Sequence, residues 1–236
     1  VTVTVYPTLL PAQIGYILNN SDTKAVFVEN RDQLNKVAEI RADMVGDSSV
    51  IVMDDSLEEK IENTYNFIDF LDMGQKFENE NEFSLTKISE GINKDDLLTI
   101  IYTSGTTGDP KGVMLSHGNL ISNVTATIKM ANLNEDDKHS FLSFLPLSHV
   151  LERMAGHFTS FAIGAEVYFA ESIETVADNL TETSPSIVVS VPRLFEKMYN
   201  KISDGLKTAP ALRRKIFYFA YNLGKETSHI YDKSSL

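Results

Sequence analysis

Short apolar strands alternate with amphipathic helices through the first 53 residues, and this alternation is the strongest constraint on the fold. Alternating side chains predict a strand over residues 1–6, and short apolar runs predict strands over 25–28 and 49–53. Helical spacing of apolar residues predicts a short helix after Pro11 and a longer one over residues 30–45. Strands that alternate with helices of this length form parallel sheets. The sequence therefore predicts an α/β fold with mostly parallel sheets flanked by helices on both faces.

An acidic segment interrupts this alternation, which then resumes. Residues 54–96 hold thirteen Asp or Glu and four Lys, and their apolar residues predict one helix. Because such a charge run is usually a solvated surface, we interpret 54–96 as an acidic connecting segment. The later patterns predict strands at 97–102, 113–115, 141–145, 166–169 and 187–189, and helices after Ser116, at 173–180, from Pro192 and at 209–229. We expect residues 1–236 to form a single α/β region.

A loop of unusual composition follows the predicted strand at 97–102. Its residues are hydroxylated or glycine and carry no charge, and a lysine comes soon after them: Thr103, Ser104, Gly105, Thr106, Thr107, Gly108 and Lys111. Hydroxyls, backbone N–H groups and an ammonium group all donate hydrogen bonds to phosphate oxygens. The spacing is not that of the Walker loop, because Pro110 stands five residues after Gly105. A phosphate-binding loop and a Ser/Thr-rich hairpin turn are the two interpretations of this composition.

The order of residues from Tyr102 to Val113 resembles the signature of the adenylate-forming enzymes. Eleven of these twelve positions follow the pattern Y-T-S-G-T-T-G-x-P-K-G-V, with Asp109 at the free position. The resemblance implies that residues 103–108 surround the β- and γ-phosphates of ATP. It also implies that Thr106 contacts Mg²⁺ and that Lys111 supplies a positive counter-charge.

Three further segments resemble bacterial long-chain fatty-acid–CoA ligases, and they are residues 141–153, 170–176 and 190–197. A lone His in a loop is more often structural than functional, but the resemblance places His149 at the acyl and adenylate pocket as a catalytic-site residue. It implies a two-step reaction in which a fatty acid and ATP form an acyl-adenylate, and CoA then displaces AMP. The expected substrates are therefore a fatty acid, ATP and CoA, with Mg²⁺ as cofactor. Activation of an aryl or amino acid, and a non-catalytic nucleotide-binding domain, are the alternative functions.

The later motifs of that family do not occur in this chain. The resemblance therefore implies a fragment of the large N-terminal domain of an adenylate-forming enzyme, without the C-terminal part. We expect the 236-residue chain by itself to be inactive.

Charge and composition exclude several classes of function. A net charge of −12 argues against nucleic acid, which binds basic surfaces. The chain has no cysteine, so disulfides and thiolate catalysis are excluded. No stretch is apolar enough to span a bilayer. We expect a cytoplasmic protein, and the sequence leaves both alternatives for peripheral contact with a membrane, present or absent. The sequence predicts no oligomeric state.

Overall fold

The computed structural model describes residues 1–54, 57, 61–103, 109–134 and 137–234, with the side chains of 228–234 left aside. Its strands are β1 (Thr2–Thr4), β2 (Ala25–Val28), β3 (Ser49–Val52), β4 (Thr64–Asn66), β5 (Leu97–Thr103), β6 (Lys111–Ser116), β7 (Ser140–Ser143) and β8 (Glu166–Phe169). Its α-helices are α1 (Pro11–Asn20), α2 (Arg31–Glu39), α3 (Phe67–Glu80), α4 (Leu85–Glu90), α5 (His117–Met130), α6 (Thr159–Ala162), α7 (Val176–Thr183), α8 (Pro192–Lys207) and α9 (Ala211–Ser234). A 3₁₀ turn covers Arg41–Asp43, and a π-helix covers Glu152–Phe158.

The strands form three small sheets in the described part of the chain. Their orders are β1-β5-β6, β2-β3-β4 and β7-β8. Four of the five strand pairs are parallel, and only β5 and β6 run antiparallel. The prediction of an α/β fold with mostly parallel sheets is therefore confirmed.

The first α/β unit forms where the alternation predicts it. Asn30 caps helix α2, because its side chain accepts a hydrogen bond from the backbone N–H of Gln33. The helix ends at Glu39, earlier than the predicted residue 45, because the chain turns there into the 3₁₀ segment. This turn buries Ile40 against Ile14 and Leu18 of α1, so packing against α1 shortens the helix.

The acidic segment contains more structure than the single helix predicted for it. Strand β4 pairs in parallel with β3, and helices α3 and α4 follow. The predicted helix is therefore present as α3, whereas β4 and α4 were not predicted. A three-residue strand whose sequence is Thr-Tyr-Asn is too short and too polar to show an alternating pattern.

The second half of the chain places a helix directly after the β5–β6 hairpin. The Ser116 hydroxyl accepts the backbone N–H of Asn119 and so caps α5, as the sequence predicts. Parallel strands β7 and β8 follow, with Leu142 packed against Val176 and Leu194. The strand predicted at 187–189 is reduced to a single bridge between Ile187 and Phe141. Among the helices that the structure describes, none is both long and apolar enough to cross a bilayer.

Candidate functional site

The antiparallel hairpin of β5 and β6 holds the two ends of the predicted phosphate loop together. Thr103, the last residue of β5, lies directly opposite Lys111, the first residue of β6. The Thr103 hydroxyl donates a hydrogen bond to the Lys111 carbonyl oxygen at 3.5 Å. The structure thus brings Thr103 and Lys111 together, whereas Ser104, Gly105, Thr106, Thr107 and Gly108 lie outside the described residues.

A glycine next to Lys111 lets the two strands of the hairpin lie close together. A Cβ atom added at Gly112 would lie 2.8 Å from Cγ2 of Ile100 and 3.1 Å from Cζ of Tyr102. Cβ atoms essentially never make a contact of 2.8 Å, and 3.1 Å is unusually short, so a larger residue would force the side chain of Ile100 or strand β6 to shift. Gly112 therefore supports the register that sets Lys111 opposite Thr103.

Tyr102 anchors the hairpin to the first helix, a role that the sequence analysis missed. Its hydroxyl donates to Oδ1 of Asn20 at 2.6 Å, and its ring meets that of Tyr16 edge-on at 6.5 Å. Burial raises the pKa of the Tyr102 hydroxyl, and interaction with Tyr16 raises this pKa further. Tyr102 therefore stays a neutral hydrogen-bond donor at the base of the loop.

His149 is exposed at the end of the segment that follows β7. Its backbone N–H donates to the carbonyl of Pro146 at 2.9 Å, and its Nδ1 accepts the backbone N–H of Leu151 at 3.2 Å. A ring nitrogen that accepts a hydrogen bond carries no proton, so the proton of the neutral ring lies on Nε2. In the neutral ring, Nε2–H of His149 is therefore the group that can donate a hydrogen bond to an anion.

Glu152 fixes the helix after His149 to the end of β7. Its side chain is only 1% exposed, and Oε1 accepts the Ser143 hydroxyl at 2.6 Å. The carboxylate lies over Gly156, where an added Cβ would overlap Oε1 and would lie 2.7 Å from Cδ of Glu152. The second oxygen, Oε2, is buried without a hydrogen-bond partner among the described residues. Burial raises the pKa of the Glu152 carboxyl, and the Ser143 hydrogen bond opposes this rise.

Arg153 links the same helix to the sheet that carries the loop. Its guanidinium is largely buried, donates from Nη2 to the hydroxyl of Thr2, and lies 6.0 Å from the ring centre of Phe158. The carbonyl oxygen of Thr2 in turn accepts a hydrogen bond from the hydroxyl of Thr99 on β5, at 2.7 Å. In the described part of the chain, His149 makes no hydrogen bond to Thr103 or Lys111. The hydrogen bonds from Arg153 to Thr2 and from Thr99 to Thr2 instead connect the helix after His149 to strand β5, which leads into the loop.

The sequence analysis named Arg153 and Glu152 only within a matching segment and assigned them no role. A charged pair of residues on an otherwise apolar helix is the signal that could have singled them out. Both lie in a π-helix, a rare form that is frequent at functional sites.

A cavity of about 430 Å³ lies beside this helix. Ala155 and Thr159 contribute to its wall from the segment after His149. Phe141 of β7 contributes an apolar side chain, as do Ile187 and Val189 from the segment beside that strand. The cavity therefore offers apolar space next to the segment that begins at His149.

No metal site is formed by His, Asp or Glu within the residues that the structure describes. Thr106, the predicted Mg²⁺ contact, lies outside these residues. The metal contact therefore stays a prediction.

Replacing Glu152 with Gln should change how stability depends on pH. Because burial raises the pKa of Glu152, the folded protein holds this proton at pH values where the unfolded chain has released it. The free energy of unfolding contributed by Glu152 therefore falls as pH rises from about 4.5, the ordinary value, through the raised folded pKa. We expect the Glu152→Gln protein to lose less stability than the parent as the pH rises over this range. Urea unfolding at a series of pH values measures the difference.

A matched control for this measurement is Glu174→Gln. Glu174 is exposed, and its hydrogen bond with Lys197 lowers the pKa of its carboxyl, so its effect has the opposite sign. Identical pH profiles for Glu152→Gln and the parent would contradict the role assigned to the buried carboxyl.

The family of this chain is identified by comparison with known proteins. The AMP-binding enzyme family matches over residues 1–230. The chain belongs to the AMP-binding enzyme family. A long-chain-fatty-acid–CoA ligase of Xenopus laevis is 32% identical over 229 residues, which cover 95% of this chain and 31% of that protein. The chain thus spans about a third of the length of the curated relatives that it matches.

Solved structures of AMP-binding enzymes confirm the fold. Coronafacic acid ligase of Pectobacterium brasiliense superposes with a TM-score of 0.66 at 20% identity, over 84% of this chain and 37% of that one. A long-chain-fatty-acid–CoA ligase of Archaeoglobus fulgidus superposes with a TM-score of 0.59 at 20% identity, over 88% and 37% of the two chains. At this identity the likeness concerns the fold alone, and the roles of the site residues are argued below from their own geometry.

Proposed function

We propose that this chain is part of a long-chain fatty-acid–CoA ligase. In the proposed reaction a fatty-acid carboxylate oxygen attacks the α-phosphorus of ATP and pyrophosphate leaves. The CoA thiol then attacks the acyl carbon, AMP leaves, and the thiol proton passes to solvent. The observation that carries the proposal is the pairing of Thr103 with Lys111 at the two ends of the signature loop.

The nucleotide end of the proposed site is the loop and its lysine. Residues 103–108 would donate hydrogen bonds to the β- and γ-phosphates, and the Lys111 ammonium would balance their charge. Lys111 is exposed at the start of β6, so its side chain is accessible to a nucleotide. Mg²⁺ would neutralise further phosphate charge when bound, with Thr106 as its contact. These assignments rest on the family signature and on the hairpin geometry.

The acid end of the proposed site is His149 and the cavity beyond it. The Nε2–H of His149 would donate to the carboxylate or to the adenylate, because Nδ1 is occupied by the Leu151 N–H. The cavity near Ala155 and Thr159 would take apolar atoms of the acid. Glu152 and Arg153 are positioning residues in this proposal, since they hold the helix after His149 but do not reach the reacting atoms.

Domain organisation and cellular location are also part of the proposal. We propose that residues 1–236 form one α/β region within a larger N-terminal domain, and that this region alone does not complete the reaction. We further propose a cytoplasmic location with peripheral contact to a membrane, where long-chain acids collect.

The proposed function is tested by exchange of labelled pyrophosphate into ATP with the full-length protein. We expect exchange with a long-chain fatty acid such as palmitate, but not with benzoate or with amino acids. Exchange that prefers benzoate or an amino acid would contradict the proposed substrate class. ATP binding without exchange for any acid would contradict catalysis and favour a nucleotide-binding domain.

A further inference from the structure

Helix α1 ends beside the base of the predicted phosphate loop, and one side chain at that end reaches the hairpin. Asn20, the last residue of α1, accepts the Tyr102 hydroxyl at Oδ1. Tyr102 stands directly before Thr103, the first residue of the predicted phosphate loop. Asn20 and Tyr102 are 82 positions apart, so the fold rather than the local sequence brings them together. Asn20 therefore joins the first α/β unit to the candidate nucleotide site.

The end of α1 is itself held in place by polar and apolar contacts. The side chain of Asn19 donates to the carbonyl oxygen of Asp43 at 2.9 Å and accepts the backbone N–H of Val45 at 2.8 Å. Ile17, in the same turn of the helix, is only 2% exposed and anchors this turn in the core. Asn20 is exposed, but these neighbours define the position from which its side chain meets the hairpin.

Tyr102 contacts both the end of α1 and the strand that carries Lys111. Its hydroxyl is held by Asn20, and its ring meets that of Tyr16 edge-on. A Cβ added at Gly112 would lie 3.1 Å from Cζ and 3.3 Å from Cε1 of Tyr102, so the same ring lies against the backbone of Gly112. Gly112 directly follows Lys111. One aromatic side chain therefore bridges α1 and the start of β6.

Helix α1 supports the hairpin from the side away from the predicted phosphate donors. Successive side chains of a strand point to opposite faces. Tyr102 pairs with Gly112 across the hairpin, and Thr103 pairs with Lys111 in the next position. The two pairs therefore face opposite sides of the hairpin. Asn20 lies on the side of Tyr102, so it can act on a nucleotide bound by Lys111 only through the hairpin.

We propose that Asn20 is a positioning residue of the nucleotide site. By holding the Tyr102 hydroxyl, Asn20 keeps the ring against Gly112, and this contact keeps Lys111 at the place where it meets an ATP phosphate. Without the bond the hairpin has more freedom in the unbound protein, and ordering it on binding lowers the affinity for ATP. The inference deepens the proposed function and rests on it, because it takes the loop to bind ATP.

The test measures the affinity of the full-length protein for ATP by titration calorimetry. Asn20→Leu removes the acceptor, and Tyr102→Phe removes only the donor hydroxyl. Each should weaken ATP binding about two- to tenfold, the range that corresponds to one net hydrogen bond. The double variant should weaken binding no further than either single variant, because both changes break the same bond. Partial unfolding lowers the amount of ATP bound but not the affinity of the folded molecules, so Kd separates positioning from stability.

Asn81→Leu is the matched control for Asn20→Leu. Asn81 is also an exposed asparagine at the end of a helix, but its side chain donates to the carbonyl oxygen of Phe77 in its own helix, α3. This variant should bind ATP with the Kd of the unchanged protein. Equal weakening in Asn81→Leu and Asn20→Leu would overturn the inference, as would an unchanged Kd in Asn20→Leu. Additive losses in the double variant would also overturn it, because Asn20 and Tyr102 would then act separately.

Two further measurements separate this inference from the proposed function. Hydrogen exchange of residues 99–103 and 111–114, measured without ATP, should be faster in Asn20→Leu than in the unchanged protein. Equal exchange rates would overturn the positioning role, whatever the protein binds. Weaker ATP binding by Asn20→Leu supports the inference even if pyrophosphate exchange fails for every acid, a result that contradicts only the proposed ligase. Absence of ATP binding by the unchanged protein would overturn both.

Discussion

Replacing Lys111 with Ala should weaken ATP binding by the full-length protein about ten- to hundredfold. A charge-assisted hydrogen bond contributes about 1.5–3 kcal/mol, and each 1.4 kcal/mol is tenfold in affinity. Lys111 is exposed, and its strand is held opposite Thr103, so the substitution should remove a charge without disturbing the hairpin. Titration calorimetry with ATP measures the change directly.

Two further substitutions make the Lys111 result specific. Lys111→Arg keeps the positive charge and should bind ATP more tightly than Lys111→Ala. Lys129→Ala removes an exposed charge at the last turn of α5 and should bind as the parent does. Unchanged ATP affinity in Lys111→Ala would contradict the assignment of Lys111 to the nucleotide.

Replacing Gly156 with Ala should destabilise the protein by about 1–3 kcal/mol, the usual cost of overpacking. The new methyl would overlap Oε1 of Glu152. Glu152 can yield only by leaving the Ser143 hydroxyl, and it is buried, so the lost hydrogen bond is not replaced by water. We expect a lower urea midpoint and, because the helix after His149 moves, lower pyrophosphate exchange.

The control for Gly156→Ala is Gly74→Ala. Gly74 lies in helix α3, and an added Cβ there would meet nothing within 4 Å. Because Ala favours a helix by up to about 1 kcal/mol over Gly, this variant should be as stable as the parent or more stable. A Gly156→Ala protein as stable as Gly74→Ala would show that the carboxylate is not held where the structure places it.

Elements with a strong local pattern could be predicted from the sequence. The cap at Ser116, the proline that starts α8 and the apolar spacing of α1 each depend on residues next to one another in the chain. Thr103 and Lys111, at the two ends of the loop, could also be named from the sequence, because the signature that contains them is continuous. Their pairing across an antiparallel hairpin needed the structure.

Features that depend on distant contacts could not be predicted. The bond of Arg153 to Thr2 joins residues 151 positions apart, and that of Tyr102 to Asn20 joins residues 82 apart. The π-helix differs from an α-helix by one residue in its hydrogen bonds, and no periodicity in seven residues reveals it. The position of Glu152 over Gly156 follows from that local geometry.

The contacts of Thr2 have a consequence for biosynthesis. This residue meets Thr99 and Arg153, which leave the ribosome 97 and 151 positions later. At about 5 to 20 residues per second, Arg153 is synthesised roughly 8 to 30 s after strand β1. Strand β1 therefore stays without these neighbours for that time, during which chaperones or aggregation compete for it.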